Sequence, residues 1–97
     1  MSAAVASATQ TGSDPIQDAE DLHAAAAAVY IVLLAAHARG LAGYWRTPAV
    51  LRTEEGREAV GLPEEERVLG LVYLGHPCQD REPPERRPSD EYVTYLA

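Results

Sequence analysis

Residues 40–47, Gly-Leu-Ala-Gly-Tyr-Trp-Arg-Thr, mark the point at which one long predicted helix gives way to extended chain. Upstream, residues 22–38 are nearly all strong helix formers, and Gly40 is a natural helix stop because glycine takes the left-handed backbone conformation at little cost. Downstream, residues 44–46 are predicted to form a short extended segment or loop that ends at Pro48. This stretch therefore sets the boundary between helix and sheet.

The predicted helix has clear local signals at its start. Asp14 is expected to be the N-cap, Pro15 the first helical residue, and Gln17 the residue that closes a capping box. From Ala24 to Ala36 the helix is apolar on every side, which predicts burial all round rather than a surface position. Because 97 residues offer little material to surround such a helix, we expect part of its burial to come from a second chain, as in a homodimer.

The sequence after Pro48 predicts one short helix and one buried strand. The helix is expected at Glu54–Val60, capped by Thr53 and stopped at Gly61. Val68–Gly75 is a continuous apolar run with β-branched and aromatic members, which is typical of a central strand covered on both faces. Together with the long helix, these elements indicate an α+β fold.

Both ends of the chain differ from this middle part. Residues 1–13 are small and polar without periodicity, which predicts a flexible N-terminus. Residues 77–97 are polar and proline-rich, which predicts an extended arm. Within the arm, residues 92–96 regain strand character, and we expect them to join the edge of a sheet in the same subunit or in a neighbour. We therefore expect a single domain over residues 1–97 with two loosely attached ends.

Composition narrows the class of protein. Fifteen acidic residues against eight basic ones give a formal net charge of −7, which argues against nucleic acid as the main partner. The longest apolar run, residues 24–36, is shorter than the ~20 residues that a membrane span needs, and the N-terminus lacks the basic start of a signal peptide. The lone Cys78 fits a reducing compartment. These features predict a soluble, cytoplasmic protein without membrane association.

Trp45, Arg46 and Thr47 are the strongest candidates for a binding site. They combine a flat π face, a fixed positive charge and a hydroxyl group at one point, which suits a planar, anionic ligand. The alternative interpretation is structural: Trp45 anchors the core, and Arg46 pairs with one of the many surface carboxylates. The residues alone leave both interpretations open.

The chain offers no complete catalytic or metal-binding set. His23 and His37 lie about 21 Å apart along the predicted helix, so they cannot share a metal ion. His76 has only Cys78 nearby, and no motif supplies that cysteine with a base. Arg86-Arg87 matches the geometry of a phosphate, but it equally fits a solvated charge run on a flexible arm.

Four segments, taken in order, resemble one known family. They are residues 33–41, Trp45-Arg46-Thr47, residues 57–63 and residues 68–77. Their order and spacing are similar to the C-terminal half of the FMN-dependent nitroreductase family. The resemblance is to its compact single-domain bacterial members, which share the Trp-Arg-Ser/Thr triplet and a closing Val-Thr-Tyr-aromatic segment. It covers about residues 20–97.

The resemblance implies a homodimer with FMN at the subunit interface. It also implies hydride transfer from NAD(P)H through the flavin to nitroaromatic, quinone-like or similar small-molecule acceptors. By position, it implies FMN contacts for Trp45, Arg46 and Thr47, and a contact with the FMN phosphate for Arg87. The end of the helix is implied to lie along the nicotinamide cofactor; these residues are Ala35, Ala36, His37, Ala38, Arg39 and Gly40.

The chain departs from the family at its start. The Arg-Arg-Ser-type segment that binds the flavin phosphate in the family has no counterpart here. Residues 3–6 with residues 11–15 match only the remnant of a strand and its following loop. We therefore expect a truncated nitroreductase-like domain whose activity as a fragment is open. The alternative function is a non-catalytic dimerisation or partner-binding module derived from the same scaffold.

Overall fold

The computed structural model describes residues 2–12 and 14–97, in which one long helix packs against a three-stranded antiparallel sheet. In chain order the elements are β1 (Ser2–Gln10), α1 (Pro15–Ala38), β2 (Ala42–Arg46), a 3₁₀ turn (Ala49–Arg52), α2 (Glu54–Ala59), β3 (Glu66–Gly75) and a second 3₁₀ turn (Ser89–Glu91). The strand order is β1-β3-β2, so β3 lies in the centre. The predicted α+β class and the central position of the predicted strand are confirmed, but its predicted cover on both faces is wrong for the chain by itself, because Tyr44 and Tyr73 are exposed on the face away from α1.

Helix α1 begins and ends largely as its local sequence predicts. The Asp14 carboxylate accepts a hydrogen bond from the backbone N–H of Gln17 at 2.8 Å, which caps the helix start. The predicted capping box is not closed, because the Gln17 side chain donates to the Asp21 carboxylate instead. At the other end Gly40 has φ +76°, and the N–H of Leu41 donates to the carbonyl of Ala36 in a Schellman-type cap.

The prediction that α1 is buried all round is wrong for the chain taken by itself. Among the described residues of this helix only Val29 and Ala36 are buried, while Ile31 is 64% exposed. Tyr30 and Leu34 are also more than half exposed. At 24 residues, α1 is long and apolar enough to cross a membrane. The length of the apolar run at residues 24–36 therefore does not exclude a membrane span. Core helices of soluble proteins share this property.

Helix α1 covers one face of the sheet, and Gly43 of β2 lies close beneath it. A Cβ atom at Gly43 would lie 2.8 Å from Cδ2 of Leu33 in α1 and 3.6 Å from Cδ2 of Leu74 in β3. Because successive residues of a strand point to opposite faces, Tyr44 and Tyr73 belong to the other face. Their rings stack there, with centroids 6.5 Å apart. One face of the sheet therefore packs on the helix and the other carries an exposed aromatic pair.

The two ends of the chain both differ from expectation. Residues 1–13 were expected to be flexible, but Ser2–Gln10 forms β1 and pairs with β3; Met1 and Ser13 lie outside the described residues. The side chains of this strand are mostly small, so its sequence lacks the β-branched and aromatic residues that predict a strand. At the other end, no strand forms over residues 92–96, and every residue from 76 to 97 is exposed. The C-terminal strand is therefore not formed in the isolated chain, although β1 and β2 are both edge strands of the sheet.

Candidate functional site

A β-bulge in the central strand organises the region around the Trp-Arg-Thr triplet. Ser7 pairs with Gly70, but the next residue, Ala8, pairs with Val68, so Leu69 has no partner on β1. Gly70 has φ +129°, a conformation that side-chain-bearing residues rarely adopt. A Cβ atom there would lie 2.7 Å from the carbonyl oxygen of Arg46. Glycine at this position therefore allows β3 to bulge against the end of β2.

Trp45 and Thr47 both bond to the carbonyl group that the bulge exposes. The indole N–H of Trp45 donates to the Leu69 carbonyl oxygen at 2.9 Å, and the Thr47 hydroxyl donates to the same atom at 3.3 Å. On the far side, the Ser7 hydroxyl donates to the carbonyl of Gly70 at 3.2 Å. These contacts support the structural interpretation of Trp45, which is half-buried and whose N–H is already used within the sheet.

Arg46 lies between these two anchored residues and is exposed. The triplet that the sequence selected thus has two structural members and one side chain free to meet a ligand. Its position at the end of an edge strand, beside the bulge, is fixed by hydrogen bonds on both sides. The predicted site is therefore rigid at Trp45 and Thr47 and accessible at Arg46.

A cavity of about 410 Å³ opens beside Thr47. Its lining residues are Thr47, Leu51, Arg52, Arg57, Arg67 and Val68. Three of the six are arginines from three different elements, and none of them is a candidate site residue from the sequence alone. The signal that was missed is one of spacing: all eight basic residues of the chain are arginines, and four of them fall between positions 46 and 67.

The residues expected along a nicotinamide cofactor lie at the opposite end of β2 from the triplet. Ala36 is buried under the helix cap and Ala35 is half-buried, whereas His37, Ala38, Arg39 and Gly40 are exposed. The chain passes from this segment directly into β2, and the rise along that strand separates its two ends by about 13 Å. The structure therefore does not bring the two predicted segments together within one chain.

Arg87, the expected phosphate contact, lies in the C-terminal arm. Its guanidinium carbon sits 5.4 Å from the centre of the Tyr92 ring, in a cation–π contact within the arm. Arg87 is not among the residues that line the cavity beside Thr47. Nor do the described residues contain a group of three or more His, Cys, Asp or Glu side chains that could hold a metal ion. Cys78 is free and exposed.

Known proteins give two informative comparisons. No model of a protein family matches the chain. The curated protein "Putative NAD(P)H nitroreductase YdjA" of Escherichia coli, in strains K12 and O157:H7, is 40% identical over 53 residues, which are 55% of this chain and 29% of the relative. The crystal structure of a nitroreductase-like family protein from Bacillus cereus matches with a TM-score of 0.85 and 24% identity, over 96% of this chain and 50% of that one.

Both comparisons cover only part of the known protein. The chain spans half of the solved structure, and the matched segment spans less than one third of the curated relatives. Within that part, the structural match establishes the fold, because it extends over nearly the whole chain. The sequence match is independent of it and agrees on the same group of proteins. In fold and in sequence, this chain is therefore similar to proteins of the nitroreductase family over the part that it shares with them.

Proposed function

We propose that this chain forms one wall of the flavin site of an FMN-dependent NAD(P)H oxidoreductase of nitroreductase type. The acceptors would be nitroaromatic or quinone-like small molecules, and the compartment the cytoplasm. The similarity to a curated nitroreductase and to a nitroreductase-like structure supports the reaction class. The observation that carries the proposal is the mounting of Arg46 between two residues that are both hydrogen-bonded to the Leu69 carbonyl. A cation held on a rigid support suits the electronegative edge of a planar cofactor.

The residues present fit FMN at its carbonyl and phosphate oxygens. Arg46 offers an exposed guanidinium group, which donates to such oxygens in a fixed fork geometry. FMN, when bound, supplies the redox chemistry, accepting a hydride and passing electrons to the acceptor. The role of this chain is then to bind and orient. Arg87 contributes only if the arm leaves its present arrangement, in which the guanidinium group lies over Tyr92.

The exposed apolar side of α1 supports a second copy of the chain as partner in this function. Ile31 and Leu34 are 64% and 51% exposed on the helix that the sequence predicts to be covered. Covering such side chains removes apolar surface from water, which stabilises a dimer by roughly 25 cal/mol per Å². A homodimer would also bring a second helix end, with His37 and Arg39, toward the site of its partner. In this arrangement the exposed residues 37–40 contact the nicotinamide cofactor.

Flavin retention tests the proposal directly. The purified 97-residue chain is mixed with FMN, freed of unbound flavin by gel filtration, and examined by visible absorption before and after addition of NADH. We expect a yellow protein that NADH bleaches. Arg46→Gln should weaken flavin retention, whereas Arg81→Gln, the same charge change in the exposed arm, should not. A chain that emerges colourless at every FMN concentration would contradict the flavin function.

A second candidate function is a non-catalytic dimerisation or partner-binding module. The observation that favours it is the internal use of the Trp45 indole N–H, which leaves this group unavailable to a ligand. In this case α1 supplies the working surface. A chain that self-associates but retains no flavin would support the module and exclude the oxidoreductase for this chain.

A further inference from the structure

The arginine-lined cavity is an isolated region of positive charge in an acidic chain. Arg52, Arg57 and Arg67 all line it, although the formal net charge of the chain is −7. In the described part of the chain, no carboxylate forms an ion pair or hydrogen bond with any of these three guanidinium groups. The other arginines of the described part form no ion pair with a carboxylate either, so the feature that distinguishes this region is the gathering of three guanidinium groups around one cavity. Three like charges held around one cavity repel one another unless an anion lies between them.

Local contacts fix the backbone that carries Arg52 and Arg57. Leu51, which is 3% exposed, anchors the 3₁₀ turn that carries Arg52. Thr53 then caps α2: its hydroxyl accepts from the N–H of Gly56 at 3.1 Å and donates to the carbonyl of Val50 at 2.6 Å. Any side chain at Gly56 would collide with that same Val50 carbonyl. The turn and the helix are thereby locked together, and Arg57 is held next to Arg52.

The carboxylates nearest to Arg57 lie on its other side. Glu54, Glu58 and Glu64 share with Arg57 a separate, smaller cavity of about 80 Å³. None of them is within ion-pair distance of a guanidinium group among the described residues. Arg57 is half-buried between the two cavities, so its charge is less screened than that of a surface side chain. Its guanidinium group is therefore available to a ligand in the larger cavity.

We propose that this cavity binds a small organic molecule that carries a phosphate group. Guanidinium groups donate paired hydrogen bonds to phosphate oxygens. A phosphate dianion, with its higher charge and three oxygens, can bind several arginines at once, which a single carboxylate does less well. The volume of about 410 Å³ is within the range of ligand sites and exceeds what a lone inorganic phosphate fills. Leu51 and Val68 provide an apolar wall for the organic part. Thr47 contributes an acceptor only, because its proton goes to the Leu69 carbonyl.

FMN is itself a phosphate ester, so this site differs from the proposed flavin site by its lining residues and not by the class of its ligand. It uses three arginines outside the Trp45-Arg46-Thr47 triplet and outside the helix end, and it requires no electron transfer. It shares Thr47 with the triplet, so the two sites are neighbours. Phosphate-ester binding and flavin retention are measured separately, and either can fail while the other holds.

Phenyl phosphate is a suitable probe, because it combines one phosphate with an apolar ring. Calorimetric titration of the full chain at low salt should give saturable binding, tighter than binding of inorganic phosphate, and none with phenol. Arg57→Gln and Arg67→Gln should each weaken binding roughly tenfold to a hundredfold, as expected for a lost hydrogen bond between charged groups. Arg57→Lys, which keeps the charge but not the fork, should fall between Arg57→Gln and the unchanged chain.

The matched control is Arg81→Gln, which removes the same charge from the exposed arm. It should leave phenyl phosphate binding unchanged. Equal weakening by Arg81→Gln and Arg57→Gln would overturn the proposal, since it would indicate non-specific attraction. Absence of saturable binding to a chain whose circular dichroism is that of a folded protein would overturn it as well. If inorganic phosphate binds as tightly as phenyl phosphate, the proposal that the cavity also binds the organic part of the ligand is wrong.

Discussion

At the scale of single residues, Trp45 shows how a candidate ligand contact can already have a structural role. Its indole N–H donates to the Leu69 carbonyl oxygen at 2.9 Å, an acceptor that no strand ladder satisfies. Trp45→Phe keeps an aromatic ring on the same face of the sheet but loses this bond. We expect the free energy of unfolding to fall by about 1–2 kcal/mol, because a half-buried carbonyl then retains only the longer bond from Thr47.

Urea denaturation followed by circular dichroism measures that change. Tyr44→Phe is the matched control, because Tyr44 is the neighbouring aromatic residue on the opposite, exposed face. The control should change the stability by less than about 0.5 kcal/mol. Equal stability losses in the two variants would show that the bond to Leu69 contributes nothing beyond ring packing.

At the scale of elements, the bulge in β3 depends on one glycine. Gly70→Ala is expected to destabilise the fold by more than the roughly 1–3 kcal/mol that a strained backbone conformation costs, since the new methyl group also meets the Arg46 carbonyl. Gly12→Ala is the matched control: Gly12 has φ +108°, but a Cβ there meets nothing within 4 Å. Thermal denaturation of both variants separates crowding from backbone strain. The prediction fails if the two melting temperatures fall equally.

Elements with local signals were predictable from the sequence, and elements with distant partners were not. The caps at Asp14 and Thr53 and the stops at Gly40 and Gly61 lie beside the helices they delimit, so their chemistry could be interpreted in place. Strand β1 could not be recognised in this way, and only the family resemblance indicated the remnant of a strand at residues 3–6. It consists mostly of small residues, and its pairing partner β3 lies about sixty positions away, as the bond from Ser7 to Gly70 illustrates.

The sequence shows that Arg52, Arg57 and Arg67 are clustered, but for a related reason it does not show the cavity that they line. Its members come from a turn, a helix and a strand, and only the folded chain brings Arg52, Arg57 and Arg67 around one space. The triplet could be selected because its three residues are consecutive. Its division into two anchored residues and one exposed residue could not, since that follows from the carbonyl that the bulge exposes.

At the scale of the whole molecule, the chain is more open than its length requires. Its radius of gyration is 16.7 Å, compared with about 13 Å for a compact domain of this size. Buried hydrophobic residues among those described are few; they are Val29, Ala36, Leu51, Leu69 and Val72. So small a core leaves much apolar surface on α1 in contact with water, and such a surface favours association.

A dimer through α1 makes stability depend on concentration. If a second copy covers the helix, the melting temperature should rise with protein concentration, because association stabilises the folded state by mass action. Ile31→Asp should abolish this dependence and give a monomer in sedimentation velocity. Val60→Asp, at an exposed site outside α1, should retain the dimer and the rise of melting temperature with concentration. A monomeric unmodified chain at all concentrations would exclude the homodimer.

The bond from Trp45 to Leu69 also has a spectroscopic consequence. Trp45 is the one tryptophan in the sequence, so the chain has a single indole N–H resonance. Because this proton is donated to the bulge, its chemical shift and its exchange with deuterated solvent report directly on the junction of β2 and β3. A phosphate ester in the arginine cavity or a flavin at Arg46 would each perturb this resonance from a different side. The molecule therefore carries a built-in probe at the point where its two candidate ligand sites meet.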